Sequence, residues 1–79
     1  MGSREDFRAD YGELLAKLVA RRRAAGVTQE DVAQRLGVRQ NIVSKYELGE
    51  VRLNVVQYVR YCRAIGLDPG ELLDSVGRY

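Results

Sequence analysis

Residues 29–48 read QEDVAQRLGVRQNIVSKYEL, and this stretch decides the fold. Val32, Ala33 and Leu36 lie at steps that put side chains on one face of a helix. After a break at Gly37 and Val38, Ile42, Val43 and Tyr46 repeat the pattern. Two short helices that cross closely need a small residue at the crossing, and Ala33 is small. The turn between them suits a glycine, because its backbone takes a left-handed conformation that costs other residues energy; Gly37 stands there. Val32, Leu36, Val38, Val43 and Tyr46 supply the inward apolar side chains. A plain helical hairpin would meet fewer of these demands than a helix-turn-helix, which meets them all.

Working outward, Thr28 with Asp31 three residues on forms a weak capping box for a helix over 29–36. The next helix is expected over about 40–47. Upstream, Phe7, Tyr11, Leu14, Leu15, Leu18 and Val19 form one apolar stripe on a helix from about Asp6 to Ala25. Downstream, Asn54 with Gln57 starts a fourth helix that runs to about Ile65. Val55, Val56, Val59 and Cys62 form one stripe on it, and Tyr58, Tyr61 and Ile65 a second, which predicts cover on two sides. Asp68-Pro69-Gly70-Glu71 opens a last short helix ending near Val76, with Asp as cap and Pro at the first position. Gly26, Gly37, Gly49 and Gly66 each follow a helical segment. Five helices and no strand pattern make the expected fold all-α.

A chain of 79 residues is expected to be a single domain, 1–79, with a limited core. One cysteine, Cys62, excludes an internal disulfide, and the absence of histidine removes the commonest metal ligand and general base. Self-association is the remaining aid to stability. Cys62 reads as a small core residue. No stretch is apolar enough for a membrane span, and MGSREDFRADYGELL is too charged for a signal peptide, so a cytoplasmic location is expected.

The net charge is +2, from 13 Lys and Arg against 11 Asp and Glu, but it is unevenly placed. Residues 1–16 carry two basic and four acidic side chains (−2), 17–63 ten and four (+6), and 64–79 one and three (−2). A basic centre suits a nucleic-acid partner. There is no nucleophile–base set, paired-carboxylate site or glycine-rich phosphate loop, so no enzyme, cofactor or metal is expected.

TQ-x-x-x-A-x-x-LG, VSKYE-x-G and GLDP-x-x-LL together resemble the Cro/cI-type, or XRE, family of helix-turn-helix proteins. The resemblance spans about Val27 to Leu73 and implies a five-helix, phage-repressor-like DNA-binding domain. Members are bacterial and phage regulators that usually bind operators as two-fold dimers. Carried over, it makes Gln40, Asn41, Ser44 and Lys45 the exposed face of the recognition helix. The residue chemistry agrees: Gln and Asn can each hold adenine by two hydrogen bonds, and Lys reaches guanine or phosphate. The resemblance gives Gln29 a phosphate contact, which a helix N-terminus also suits. Arg39 and Arg52 are further phosphate candidates, and Arg21-Arg22-Arg23 is either a phosphate patch or a favourable helix end. Arg22 and Glu47 match a pair that in some members ties the first helix to the third.

Three positions depart from the family pattern. Arg39 replaces the usual Ser or Thr cap of the recognition helix, and Leu48 and Glu50 stand where polar or basic phosphate contacts are common. The leading expectation is a transcriptional regulator that binds double-stranded DNA as a homodimeric repressor at an inverted-repeat operator. The rival is an antitoxin or accessory module whose main partner is another protein. Tyr58, Tyr61, Leu73, Val76 and Tyr79 are either the dimer surface or packed within the monomer.

Overall fold

The computed structural model describes residues 4–76, with side chains from Phe7 onward. Five helices follow one another: α1 Arg4–Ala24, α2 Gln29–Leu36, α3 Gln40–Leu48, α4 Val55–Ala64 and α5 Pro69–Leu73. No strand occurs among the described residues. The all-α architecture is the expected one, and the starts of α2 and α4 follow their local signals. Thr28 Oγ1 accepts from Asp31 N and the Asp31 carboxylate accepts from Thr28 N, both at 3.0 Å. Asn54 and Gln57 close the same reciprocal pair at 2.8 Å each way. The bonds with Thr28, chiefly the one from its amide, hold the Asp31 carboxyl below its ordinary range.

The turn between α2 and α3 is closed by Gly37, whose φ of 72° is left-handed, with Val38 N donating to Ala33 O at 3.0 Å. Ala33 itself is buried where the two helices meet. The core around this crossing comprises Leu15 and Leu18 of α1, Val32, Val43, then Tyr58, Tyr61, Cys62 and Ile65, with Leu67 and Leu72 closing it. Burial pushes the Cys62 thiol pKa up, as an inert core residue requires.

Polar ties fix the ends. Tyr58 Oη donates to Pro69 O at 2.5 Å, anchoring the start of α5. Lys17 Nζ reaches Ser75 Oγ at 2.8 Å, and Arg21 pairs with Glu71, so α5 and the turn after it lie along α1. Arg35 of α2 donates to Ala64 O at the end of α4. Tyr11 Oη accepts from Leu53 N at 2.9 Å, holding the loop between α3 and α4 against α1.

Several expectations are corrected. Phe7 belongs to the predicted stripe of α1 but is 60% exposed. Phe7 borders an open depression that it shares with Tyr11, Arg52 and Val76. Val55 and Val56 are also exposed, at 79% and 66%, although both were expected to be covered. Tyr58 and Tyr61 are buried within the monomer, at 6% and 0% exposure, and cannot form a dimer surface. Leu73 is exposed and Val76 half-buried, while Tyr79 lies outside the described residues. Ile42 is half-buried rather than fully inward. Asp68 precedes α5 without a side-chain capping bond; Glu71 N instead donates to Asp68 O at 3.1 Å, and α5 ends at Leu73 rather than near Val76.

Candidate nucleic-acid interface

The sequence places α3 so that one face is committed to the core. Val43 and Tyr46 are buried, at 0% and 6% exposure. The opposite side carries Gln40, Asn41 and Lys45, all exposed, with Ser44 half-buried at its margin. Arg39 is exposed at the N-terminal end of the same helix. The outer face is therefore polar, donor-rich and free of acidic side chains in its first turn. A helix of this kind has the width for the B-DNA major groove, about 12 Å.

Arg39 has the backbone of a cap, φ −79° and ψ 151°, but makes no side-chain capping bond. Ile42 N turns instead to Arg39 O at 3.0 Å. The expected loss of the cap is thus present in the structure. Thr28 and Asn54, at nearly the same φ and ψ, do cap their helices.

Behind α3 lies a buried polar cluster. Arg22 of α1 forks onto Glu47, Nε to Oε2 at 2.8 Å and Nη2 to Oε1 at 3.0 Å, and its Nη1 donates to Val27 O at 3.0 Å. Both side chains are only 8% exposed. Tyr61 of α4 donates its hydroxyl to Glu47 Oε2 at 2.5 Å, and Gln29 Nε2 donates to Glu47 Oε1 at 2.9 Å. Burial pushes the Glu47 pKa up, but the bonds from Arg22, Tyr61 and Gln29 outweigh it and hold the carboxyl below its ordinary range. The Tyr61 phenol is pushed up by burial and by donating to that carboxylate. The ion pair of Arg22 with Glu47 expected from the family resemblance is therefore formed, with α2 and α4 added to it.

Gln29 was expected at the start of α2, facing phosphate. It stands at that position, and its side chain bridges inward and outward at once: Gln40 Nε2 donates to its Oε1 at 3.2 Å. Gln29, Gln40, Thr28, Arg22 and Arg23 line one shallow depression of about 470 Å³ beside the α2 N-terminus. Arg52 sits elsewhere, on the loop before α4, with its guanidinium carbon 5.0 Å from the centre of the Tyr11 ring. Glu50 is exposed on the same loop.

Comparison with known proteins agrees with this fold. The helix-turn-helix domain family matches residues 13–76. A solved structure described as an XRE-family like protein from Pseudomonas syringae pv. tomato str. DC3000 superposes with a TM-score of 0.85 at 46% identity. The match covers 87% of this chain and 84% of that one. This chain belongs to the XRE-type helix-turn-helix family. No curated protein matches it. For an XRE-type domain the coarse reading is a DNA-binding regulator, and among the described residues no helix is long and apolar enough to cross a membrane.

Neither Tyr61 nor the Gln29 amide is marked by the sequence as a member of the cluster under α3. Gln29 and Glu47 are 18 residues apart, and Tyr61 and Glu47 fourteen. No local spacing rule connects positions on three different helices. The one available signal was the presence of a glutamate in the otherwise apolar inner half of α3.

Proposed function

We propose that this domain binds double-stranded DNA sequence-specifically, with α3 in the major groove, and represses transcription as a homodimer on an inverted repeat. The observation that carries the reading is the outer face of α3: Gln40, Asn41 and Lys45 are exposed together on a helix whose other face is locked in the core. Gln40 and Asn41 have the donor–acceptor pair that suits adenine, and Lys45 suits guanine or phosphate. Ser44 lies close enough to contribute from the margin. Gln29, Arg39 and Arg52 serve as phosphate contacts that set register and carry no sequence information themselves. Arg52 keeps its charge exposed while Tyr11 limits its freedom.

Leu48, Val51, Val55 and Val56 support the dimer. They follow one another from the end of α3 to the first turn of α4 and are 69%, 38%, 79% and 66% exposed. An apolar run of this kind on so small a domain suits a protein surface. The same run would also serve the rival reading, an accessory module that receives a different protein. Steric occlusion is the mechanism: two α3 helices enter successive major grooves about 34 Å apart and block a promoter.

Selection from a random duplex pool, followed by titration of the enriched site at two salt concentrations, tests this. Enrichment of an inverted repeat with half-sites about 10 bp apart centre to centre and a steep salt slope is the expected result. Absence of enrichment, with co-purification of a different protein, would replace it by the rival.

A further inference from the structure

The Glu47 side chain is buried, yet its chemistry extends to the outer face of α3. Its two oxygens receive four donors: Arg22 twice, Tyr61 and Gln29. A carboxylate has acceptors only. The Gln29 amide must therefore present its nitrogen to Glu47, and its carbonyl oxygen must point the other way. That oxygen is the one that meets Gln40. Because Gln29 offers Gln40 an acceptor, Gln40 must answer with one of its two N–H groups. What remains on Gln40 is one N–H and its carbonyl oxygen.

One donor and one acceptor complement the major-groove edge of adenine, which presents the N7 acceptor and the N6 donor. Guanine presents two acceptors, N7 and O6. A glutamine with both N–H groups free could serve them with its nitrogen alone; a glutamine with one N–H already committed cannot. The order of donors and acceptors set at Glu47 thus passes through Gln29 and emerges at Gln40.

We propose that Glu47 is a positioning residue for base specificity: with Arg22 and Tyr61 holding it, it fixes the amide of Gln40, through Gln29, in the orientation that selects adenine over guanine. The proposal rests on Gln40 as a base contact, as given above. Glu47 never touches DNA; removing its negative charge while keeping its shape should change which base is chosen. In Glu47→Gln the new amide can offer Gln29 an N–H, so Gln29 and then Gln40 are able to turn over.

The probe is a duplex enriched from the random pool, with the base pair read by Gln40 located as the one whose discrimination Gln40→Ala abolishes. At that pair the native domain should prefer A over G by on the order of 10-fold or more. Glu47→Gln should bring the ratio to within about 3-fold of unity while discrimination at the pairs read by Asn41 and Lys45 persists. Gln29→Met supplies the same test without disturbing the buried Arg22 ion pair, and covers the case in which Glu47→Gln does not fold. A native A-to-G ratio retained in the folded variants, or a loss spread equally over all base pairs, overturns the proposal.

A measurement without DNA separates the two layers. In the free native domain, NMR should show one side-chain amide proton each of Gln29 and Gln40 exchanging with water more slowly than those of exposed Gln34. Exchange as fast as at Gln34 overturns the positioning even if Gln40 reads a base. Slow exchange with no enriched duplex would place the failure in the base-reading assignment instead.

Discussion

Replacing Arg39 by Ser should stabilise the domain and weaken its hold on DNA. Arg39 occupies the cap position of α3 with φ −79° and ψ 151°, against −84° and 165° at Thr28 and −79° and 175° at Asn54. A serine there needs little backbone adjustment to aim its hydroxyl at Ile42 N. A cap contributes about 0.5–2 kcal/mol, but Ile42 N already bonds Arg39 O, so the lower part of that range applies. Removing a cation from a helix N-terminus adds a few tenths to about 1 kcal/mol. The sum is about 1–1.5 kcal/mol, and each kcal/mol raises Tm by roughly 4–8 °C in a domain of this size. Thermal unfolding followed by circular dichroism should therefore show Arg39→Ser melting about 4–12 °C higher. On DNA the same variant should bind every duplex more weakly and lose about one unit of salt slope. An unchanged or lower Tm refutes the capping argument. Unchanged affinity with a raised Tm refutes the phosphate role and leaves the uncapped arginine without a reason.

Asn41→Ala should cost on the order of 1–3 kcal/mol on the enriched site and almost nothing on random duplex, measured by competition titration; equal losses on both would remove Asn41 from base reading. Val55→Glu with Val56→Glu should leave the fold intact, because both side chains are exposed, and should shift the chain to monomer in analytical ultracentrifugation; a dimer that persists relocates the interface. The Glu47 and Asp31 carboxyls are both held below their ordinary range in the folded domain. Groups of that kind add stability that is complete above the unfolded pKa, about 4, and is lost as pH falls through the folded value. Tm should thus be flat above about pH 5 and fall below about pH 4, with a shallower fall in Glu47→Gln; an acid profile identical in that variant would assign the dependence to other carboxyls.

Most helix starts were legible because capping is local. Thr28 with Asp31 and Asn54 with Gln57 stand three residues apart, and their reciprocal bonds form where the spacing puts them. Asp68 shows the limit of the same rule, since Glu71 N finds the Asp68 carbonyl instead of its side chain. Apolar periodicity located helix faces but not the ends of their cover. Phe7, Val55 and Val56 fit their stripes and still face outward, because periodicity fixes which residues share a face and not whether another element lies over it. Tyr58 and Tyr61 were ambiguous for a related reason: whether a monomer can bury a second stripe on α4 depends on the positions of Pro69 and Glu47, each far along the chain. For the candidate interface, the exposed positions of Gln40, Asn41 and Lys45 followed from their phase relative to Val43 and Tyr46. The connection from Gln40 to Glu47 did not, since it passes through Gln29 on another helix.

Arg22 has a further consequence. Its guanidinium joins Glu47 of α3 to the Val27 carbonyl just before α2, so neither helix can leave its place without breaking a bond to α1. Opening at α3 gives up the Arg22 fork together with the Tyr61 and Gln29 bonds to Glu47, which makes partial opening costly. Residues 28–48 are thus not a detachable reading head but part of one cooperative unit with α1. Amide hydrogens in the middle of α1, α2 and α3 should exchange through a single shared opening. A peptide cut to the two helices alone would keep Gln40 and Asn41 in its sequence while losing the frame that aims them.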